Sequence, residues 1–271
     1  MRSTHTELYR DALRHDEYQE VNMFIQSDGI KLNARFELPE DGREKYPVCI
    51  IIHGITGNLE ERHLTALSKM MNRIGIATLR VDMYGHGKSE GLFEKHTLYR
   101  WLTNAMDVIN YARSLQEVTD IYLCGHSQGG LLAILLAAME KDVIKALLPL
   151  SPAVMIPDGA RSGDLLGYHF DPENLPPYLL SWDKQRISTD YVRIAQTIDV
   201  DKAIAAYPGK VLIVHGEDDA TVPVKYAEET AAKYRDGRFV PVPGDTHCFD
   251  NHLEEMVKAV EDFLVNEVLN Y

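Results

Sequence analysis

Residues 121–139 read IYLCGHSQGGLLAILLAAM, and this stretch decides the fold. A short apolar run ends at Gly125, a serine follows at position 127, and a long apolar segment begins directly after Gly130. Gly-x-Ser-x-Gly between a strand and a helix predicts a nucleophile elbow, a sharp and strained turn that exposes the serine hydroxyl. The N–H groups at the start of the helix then point toward negative charge that develops on a substrate. The sequence therefore predicts Ser127 as a nucleophile.

On both sides of this stretch, short apolar runs alternate with longer segments of helical periodicity. The predicted strands are 48–53, 76–82, 121–126, 144–151, 211–216 and 238–244, and the predicted helices are 59–74, 97–115, 128–141, 224–235 and 251–269. This alternation predicts an α/β fold with a mostly parallel central sheet flanked by helices, and runs apolar on both faces are typical of strands buried on two sides. Before them, residues 21–38 alternate around Ser27-Asp28-Gly29 and predict an antiparallel hairpin with a tight turn.

The alternation is interrupted once, between Pro152 and Tyr207. This segment has no strong strand pattern and is rich in proline and aromatic residues. Because so long a connection in one domain is usually functional, we interpret it as an inserted cap, or lid. The predicted division is an α/β core of residues 20–151 and 208–271, a cap of residues 152–207, and an amino-terminal extension of residues 1–19, whose role the sequence leaves open.

A serine nucleophile needs a base, and the base needs an orienting acid. In this topology they are expected after the serine, in the order acid and then base, at the ends of later strands. Asp219 follows the strand VLIVHG, and His247 follows the strand RFVPV. Asp218 is the rival carboxylate, but Asp219 lies deeper in the loop. Other strand ends also carry histidines, namely His53, His126 and His215. None of them comes after the strand that leads to the acid, so none is in the position expected of the base.

Acyl transfer also needs N–H donors for the tetrahedral oxyanion. The N–H of Gln128, directly after the nucleophile, is one predicted donor, and the second is expected from the loop after the strand VCIIIH. Gly54 allows that loop to pass close to the serine, so the N–H of Ile55 is the candidate. The Gly-rich stretch 82–89 (DMYGHGKS) lacks the Walker arrangement of Lys and Ser/Thr, and we interpret it as a shaped wall of the site.

The amino-acid composition and net charge of the chain limit the classes of binding partner that can be expected. The chain of 271 residues has 45% hydrophobic and 25% charged residues, which is typical of a globular protein, and a formal net charge of −13. Without clustered Lys and Arg, neither nucleic acid nor an anionic membrane surface is an expected partner. Residues 1–20 contain no apolar signal core, so the predicted location is the cytoplasm. The spacing of the three cysteines matches neither a zinc site nor a redox pair, and Cys49 and Cys124 are expected in the core.

The chain resembles the α/β-hydrolases on a set of motifs that stand in the family's order. They are HGITGN, RVDMYGHGKSEG, GHSQGG, HGEDDATVP and PGDTHCF. With the segment YVRIAQTIDV, they are most similar to bacterial feruloyl or cinnamoyl esterases, over about residues 20–271. The resemblance implies a triad of Ser127, Asp219 and His247. It also implies a small cap over the acyl pocket, with Asp158 and Tyr191 as candidates to bind a substrate phenol and Trp182 as an aromatic wall.

The predicted reaction is ester hydrolysis through an acyl-enzyme, which needs no metal and no cofactor, with a small-molecule hydroxycinnamate ester as substrate. A carboxylesterase or monoacylglycerol lipase with aliphatic acyl preference is the alternative, and a non-catalytic receptor on the same fold is a minor one. The acyl and alcohol preferences, the balance between hydrolysis and acyl transfer, and the choice between monomer and homodimer stay open.

Overall fold

The chain enters its main sheet through an antiparallel hairpin. The computed structural model describes residues 20–165, 167–180 and 184–269. Strand β1 (Glu20–Ser27) pairs with β2 (Ile30–Glu37), with Ser27 opposite Ile30. The two turn residues, Asp28 and Gly29, have φ of 46° and 78°, the left-handed pair that a type I′ hairpin turn requires. The predicted hairpin is confirmed.

The other elements follow the predicted alternation closely. The remaining strands are β3 (Tyr46–Ile52), β4 (Ala77–Val81), β5 (Val118–His126), β6 (Ile144–Leu150), β7 (Asp164–Leu165), β8 (Tyr168–His169), β9 (Tyr178–Leu180), β10 (Arg186–Ser188), β11 (Lys210–Gly216) and β12 (Gly237–Val242). The helices are α1 (Arg62–Arg73), α2 (Leu98–Ser114), α3 (Gln128–Met139), α4 (Ile156–Ser162), α5 (Thr189–Gln196), α6 (Val200–Ala206), α7 (Lys225–Lys233) and α8 (Leu253–Phe263), the last continued by a π-helical turn.

The order of strands in the main sheet places the site. The eight strands run β1-β2-β4-β3-β5-β6-β11-β12, and from β4 to β12 neighbouring strands are parallel. The chain passes from β3 to β4 on one side and later returns to β5 on the other side of β3. Ligands of open α/β sheets bind at such a switch, beyond the carboxyl ends of the strands. The predicted mostly parallel sheet is confirmed, and the loops after β3 and β5 meet at its switch point.

Helices cover both faces of the sheet, and each face carries its own buried core. Leu67 and Met256, from α1 and α8, belong to one core, and Trp101 and Leu132, from α2 and α3, belong to the other. Cys49 and Cys124 are buried free thiols, as predicted. Within the described ranges, no helix is both long and apolar enough to cross a membrane.

Strand β4 departs from the prediction that the parallel strands are apolar on both faces. The side chain of Arg80 is only 2% exposed, and its guanidinium lies 2.9 Å from the carboxylate of Glu37 on β2. Arg80 also donates a hydrogen bond of 2.6 Å to the carbonyl of Leu59. The buried charge is tolerated because a carboxylate and a carbonyl satisfy it together.

Residues 152–207 form an insertion between β6 and β11. Its described residues, which exclude 166 and 181–183, include three helices and four strands of two or three residues each. Its parts are tied to one another: Arg161 donates to the carbonyls of Gln196 and Ile198, and the Gln196 amide donates to the carbonyl of Ala160. The predicted lack of strong strands agrees with these short pairs. The domain boundaries stay a prediction, and the predicted extension, residues 1–19, lies outside the described residues.

Candidate active site

Ser127 stands at the turn between β5 and α3 with strained backbone angles, φ 56° and ψ −119°. L residues other than glycine rarely adopt such angles, and they persist only where the surroundings enforce them. A side chain at Gly125 would overlap the carbonyl of Gly129, and one at Gly129 would overlap the carbonyls at the end of β3. Both glycines are therefore required for the turn, which has the geometry of the predicted elbow.

Hydrogen bonds hold the elbow on both sides. The N–H of Ser127 donates to the carbonyl of Leu150 at 2.9 Å, which fastens the serine to the end of β6. Its carbonyl accepts from the N–H groups of Gly130, Leu131 and Ala153 at 2.9–3.1 Å. The serine is thus fixed before any substrate arrives, and the first turn of α3 lies directly behind it.

His247 and Asp219 form a close pair, with 2.6 Å between His247 Nδ1 and Asp219 Oδ2. Because Nδ1 then carries the proton, Nε2 keeps the lone pair that a general base needs. Oδ1 of Asp219 accepts from the N–H groups of Thr221 and Val222, each at 2.8 Å. The Asp219 carboxylate is buried, whereas Asp218 is exposed. The structure therefore brings together the acid and base that the sequence predicted and leaves the rival carboxylate outside.

A second histidine, His215, also holds Asp219, and sequence reasoning assigned it no role. Its Nε2 lies 2.9 Å from Asp219 Oδ2 and 2.8 Å from the carbonyl of Val222, so this nitrogen carries the proton and donates to both. Burial by itself would raise the pKa of Asp219, but the hydrogen bonds from His215 and His247 outweigh burial and hold it well below its ordinary value. The carboxylate therefore stays charged wherever His247 can act as a base.

The loop after β3 lies against the nucleophile. A side chain added at Gly54 would sit 3.0 Å from Cβ of Ser127, so only glycine lets this backbone pass so close. Ile55 follows with its side chain buried, and Thr56 has a left-handed φ of 62°. The chain thus turns sharply around Ile55, next to the serine, where the second oxyanion donor was predicted.

Two buried histidines fix the residues on either side of Ile55. His53 accepts the N–H of Met83 at its Nε2, and its Nδ1 donates to the carbonyl of Gly54 at 2.6 Å. Burial lowers the pKa of His53 to about 3, so the ring is neutral, as these bonds require. His86 accepts the N–H of Thr56 at 3.2 Å. These contacts set the direction of the peptide between them.

The Gly-rich loop after β4 is anchored by Asp82, whose buried carboxylate accepts three hydrogen bonds. The donors are the N–H groups of Leu59 and Lys88 and the side-chain amide of Asn33, at 2.8–2.9 Å. Since Leu59 belongs to the segment after β3, one carboxylate joins two loops beside the serine. This supports the interpretation of residues 82–89 as a shaped wall.

Tyr191 has a different contact from the one expected of it. Its side chain is completely buried, and its hydroxyl donates to Gln128 Oε1 at 2.6 Å. Burial raises the pKa of Tyr191 well above its usual value, so the hydroxyl remains a neutral donor. It links the insertion to the residue that follows the nucleophile, and a contact with a substrate phenol stays a prediction.

Asp158, another predicted cap residue, has its contacts away from the catalytic set. The side chain of Asp158 is 78% exposed and pairs with Arg161 at 2.6 Å. Both line a surface cavity of about 370 Å³ whose lining includes none of Ser127, Asp219 and His247. A contact of Asp158 with a substrate stays a prediction, and here its carboxylate forms an exposed ion pair. Trp182 lies outside the described residues.

Comparisons with known proteins agree with this fold. The family model described as "Serine aminopeptidase, S33" matches residues 43–171, and that described as "TAP-like protein" matches residues 182–270. The solved structure of Est1E from Butyrivibrio proteoclasticus with ferulic acid bound is 54% identical, with a TM-score of 0.89, over 91% of this chain and 99% of that chain. A further Est1E structure is 51% identical, with a TM-score of 0.86, over 90% and 98%.

Curated human relatives are more distant. Protein ABHD12B is 27% identical over 82% of this chain and 61% of that protein, and monoglyceride lipase is 29% identical over 55% and 48%. The chain thus spans about three fifths and about half of these two proteins. A serine on a strand-to-helix elbow at the switch point of a mostly parallel sheet defines a serine hydrolase of the α/β class. Together with the match to Est1E, this shows that the chain belongs to the α/β-hydrolase superfamily, among its carboxylic ester hydrolases.

Proposed function

We propose that this chain hydrolyses hydroxycinnamate esters through an acyl-enzyme on Ser127. The observation that carries the chemistry is the hydrogen bond of 2.9 Å between His126 Nε2 and the carbonyl of His247, which joins the strained elbow of Ser127 to the 2.6 Å pair of His247 and Asp219. His247 Nε2 takes the hydroxyl proton as the serine oxygen attacks the ester carbonyl. The resulting imidazolium gives that proton to the leaving alcohol, and a water molecule repeats the sequence to release the acid.

Charge develops at two points in this reaction, and the site is prepared for both. The imidazolium of His247 faces the permanently charged carboxylate of Asp219. The oxyanion faces the first turn of α3 and the backbone of residues 54–56, where the N–H groups of Gln128 and Ile55 are the proposed donors. Because these donors are fixed before the reaction, no reorganisation cost falls on the transition state.

The acyl preference rests on the similarity to Est1E. That protein has been solved with ferulic acid bound, and it is 54% identical to this chain over nearly its whole length. We propose that residues 152–207 act as a cap and that an aromatic acyl group lies beneath them, where burial of a ring supplies affinity. Trp182 is the proposed wall, and Tyr191 the proposed contact for a phenol.

The test compares methyl ferulate with long-chain p-nitrophenyl esters. A hydroxycinnamate esterase has a higher kcat/KM on methyl ferulate than on the long-chain esters. A higher kcat/KM on the long-chain esters supports the alternative of a monoglyceride lipase-like enzyme, which the 29% identity with the human lipase suggests. Ser127→Ala is expected to abolish turnover of both and to leave the Tm close to that of the parent. Hydrolysis by Ser127→Ala would refute the nucleophile, and failure of the folded parent to react with a fluorophosphonate probe would favour a receptor.

A further inference from the structure

Glu61, His63 and His126 form a cluster close to the catalytic histidine, which we call the Glu61 cluster. One ligating atom of each side chain lies within 4.8 Å of the other two. Glu61 directly precedes α1, His63 lies in the first turn of α1, and His126 ends β5. None of the three touches the reacting atoms of the proposed reaction, so the cluster needs another explanation.

Each member of the Glu61 cluster has a buried polar atom without a hydrogen-bond partner among the described residues. These atoms are Glu61 Oε2, His63 Nε2 and His126 Nδ1. Both histidines are 2% exposed, so bulk water does not satisfy them. An unpaired buried polar group costs about 1–3 kcal/mol, and three such groups in one place indicate that something belongs between them.

The ligand set fits a transition-metal ion. His126 uses Nε2 to donate to the carbonyl of His247 at 2.9 Å, so Nδ1 is the unprotonated nitrogen. Metal-binding histidines commonly donate their other N–H to a backbone carbonyl in this way. His63 Nε2 is buried and has no partner within the described chain, so it is available to bind an ion. Two neutral imidazoles and one carboxylate are a common set for Zn²⁺.

The carboxylate is held in place and lacks a counter-charge. A Cβ at Gly57 would lie 2.6 Å from Glu61 Oε2, so glycine at this position makes room for the carboxylate. Within the described parts of the chain, no lysine or arginine forms an ion pair with this carboxylate. A bound divalent cation would supply the missing charge. Ligands at about 2.0–2.2 Å from a tetrahedral zinc ion lie roughly 3.3–3.6 Å from one another, so these side chains, now within 4.8 Å of one another, would move closer together on binding.

We propose that Glu61, His63 and His126 bind a divalent transition-metal ion, with Zn²⁺ as the best match, and that this ion inhibits the enzyme. The rings of His126 and His247 have centroids 4.7 Å apart. A metal ion on His126 places positive charge beside His247 and disfavours the imidazolium that the reaction must form. The inhibition, unlike the binding, rests on the proposed function.

Binding is measured by equilibrium dialysis of Zn²⁺, and by the visible absorption of Co²⁺, on the full chain without a polyhistidine tag. We expect one ion per chain. Glu61→Gln keeps the size of the side chain and removes the anionic ligand, so affinity should fall by more than the factor of about 10–100 that loss of an outer-shell contact costs. His63→Gln should weaken binding similarly. His252→Gln removes an exposed histidine and is the matched control, which should keep the parent affinity.

The possible outcomes separate the binding claim from the activity claim. Absence of Zn²⁺ and Co²⁺ binding to the parent would overturn the proposal and would indicate water in the cluster. Equal Zn²⁺ affinity in the parent and in folded Glu61→Gln would also overturn it, because the ion would then lie elsewhere. Circular dichroism verifies that the variants fold. If His63→Gln fails to fold, the Zn²⁺ affinity of Glu61→Gln decides whether the Glu61 cluster binds the ion. Zn²⁺ that binds as proposed without lowering kcat/KM refutes the inhibition alone, whereas a chain that hydrolyses no ester refutes the proposed function.

Discussion

The hydrogen bond between Tyr191 and Gln128 gives a sharp test of how the insertion is joined to the nucleophile. Both side chains are completely buried, and the hydroxyl lies 2.6 Å from Gln128 Oε1. Tyr191→Phe removes only the hydroxyl. Gln128 Nε2 already has no partner within the described chain, so the variant leaves the whole side-chain amide unsatisfied.

The expected loss is that of one buried hydrogen bond together with an unpaired acceptor. We expect Tyr191→Phe to lower the free energy of unfolding by about 2 kcal/mol and the Tm by about 4–8 °C. Differential scanning calorimetry measures both. The matched control is Tyr178→Phe, because Tyr178 is 42% exposed, and its Tm should change by less than about 1 °C. Equal Tm values for Tyr191→Phe and the parent would refute the reasoning.

The same variant tests the predicted contact with the substrate. Methyl ferulate carries a phenolic hydroxyl and methyl cinnamate does not. If Tyr191 leaves Gln128 to bind that hydroxyl, Tyr191→Phe should lower kcat/KM for methyl ferulate selectively. An equal loss on both esters would mean that Tyr191 acts only through Gln128, on the position of the donor beside Ser127.

Three further predictions concern the supports of the site. His215→Phe should lower kcat/KM and the free energy of unfolding. Without the His215 bond the depressed pKa of Asp219 returns toward 3.8, so the loss of stability relative to the parent should be complete above about pH 4 and should shrink below it. Urea titrations at several pH values measure this difference. Gly129→Ala should destabilise by about 3 kcal/mol or more, since its Cβ would overlap carbonyls of β3; an unchanged urea midpoint would disprove the overlap. Arg80→Met should lower the free energy of unfolding by about 3 kcal/mol, because the carboxylate of Glu37 would keep its hydrogen bonds from Ser68 and Thr78 but lose its ion pair; an unchanged urea midpoint would contradict this.

Local patterns were sufficient for much of the fold. The hairpin turn at Asp28-Gly29 follows from residues that tolerate left-handed angles. The parallel strands follow from apolar runs between helical segments, and the elbow follows from the two glycines around Ser127. Asp219 and His247 could be predicted because strand ends in this topology meet at one edge of the sheet. In these cases the deciding interaction lies within a few residues or in a fixed order of elements.

The sequence did not reveal contacts between distant segments. Arg80 lies in a strand that reads as apolar, and only its pairing beside β2 supplies the carboxylate of Glu37. His215 is one of eleven histidines, and nothing in the spacing distinguishes it as a second donor to Asp219.

The sequence by itself determined the class of fold and the elbow at Ser127, and it predicted the order of the candidate catalytic residues. The tertiary structure alone decided which carboxylate is buried, where the hydroxyl of Tyr191 points, and that Glu61, His63 and His126 converge. The physical reason is the distance along the sequence over which each kind of interaction acts. Backbone strain and apolar periodicity act over a few neighbouring residues and are written in the sequence, whereas burial and pairing of polar groups depend on which distant segments the folded chain brings together.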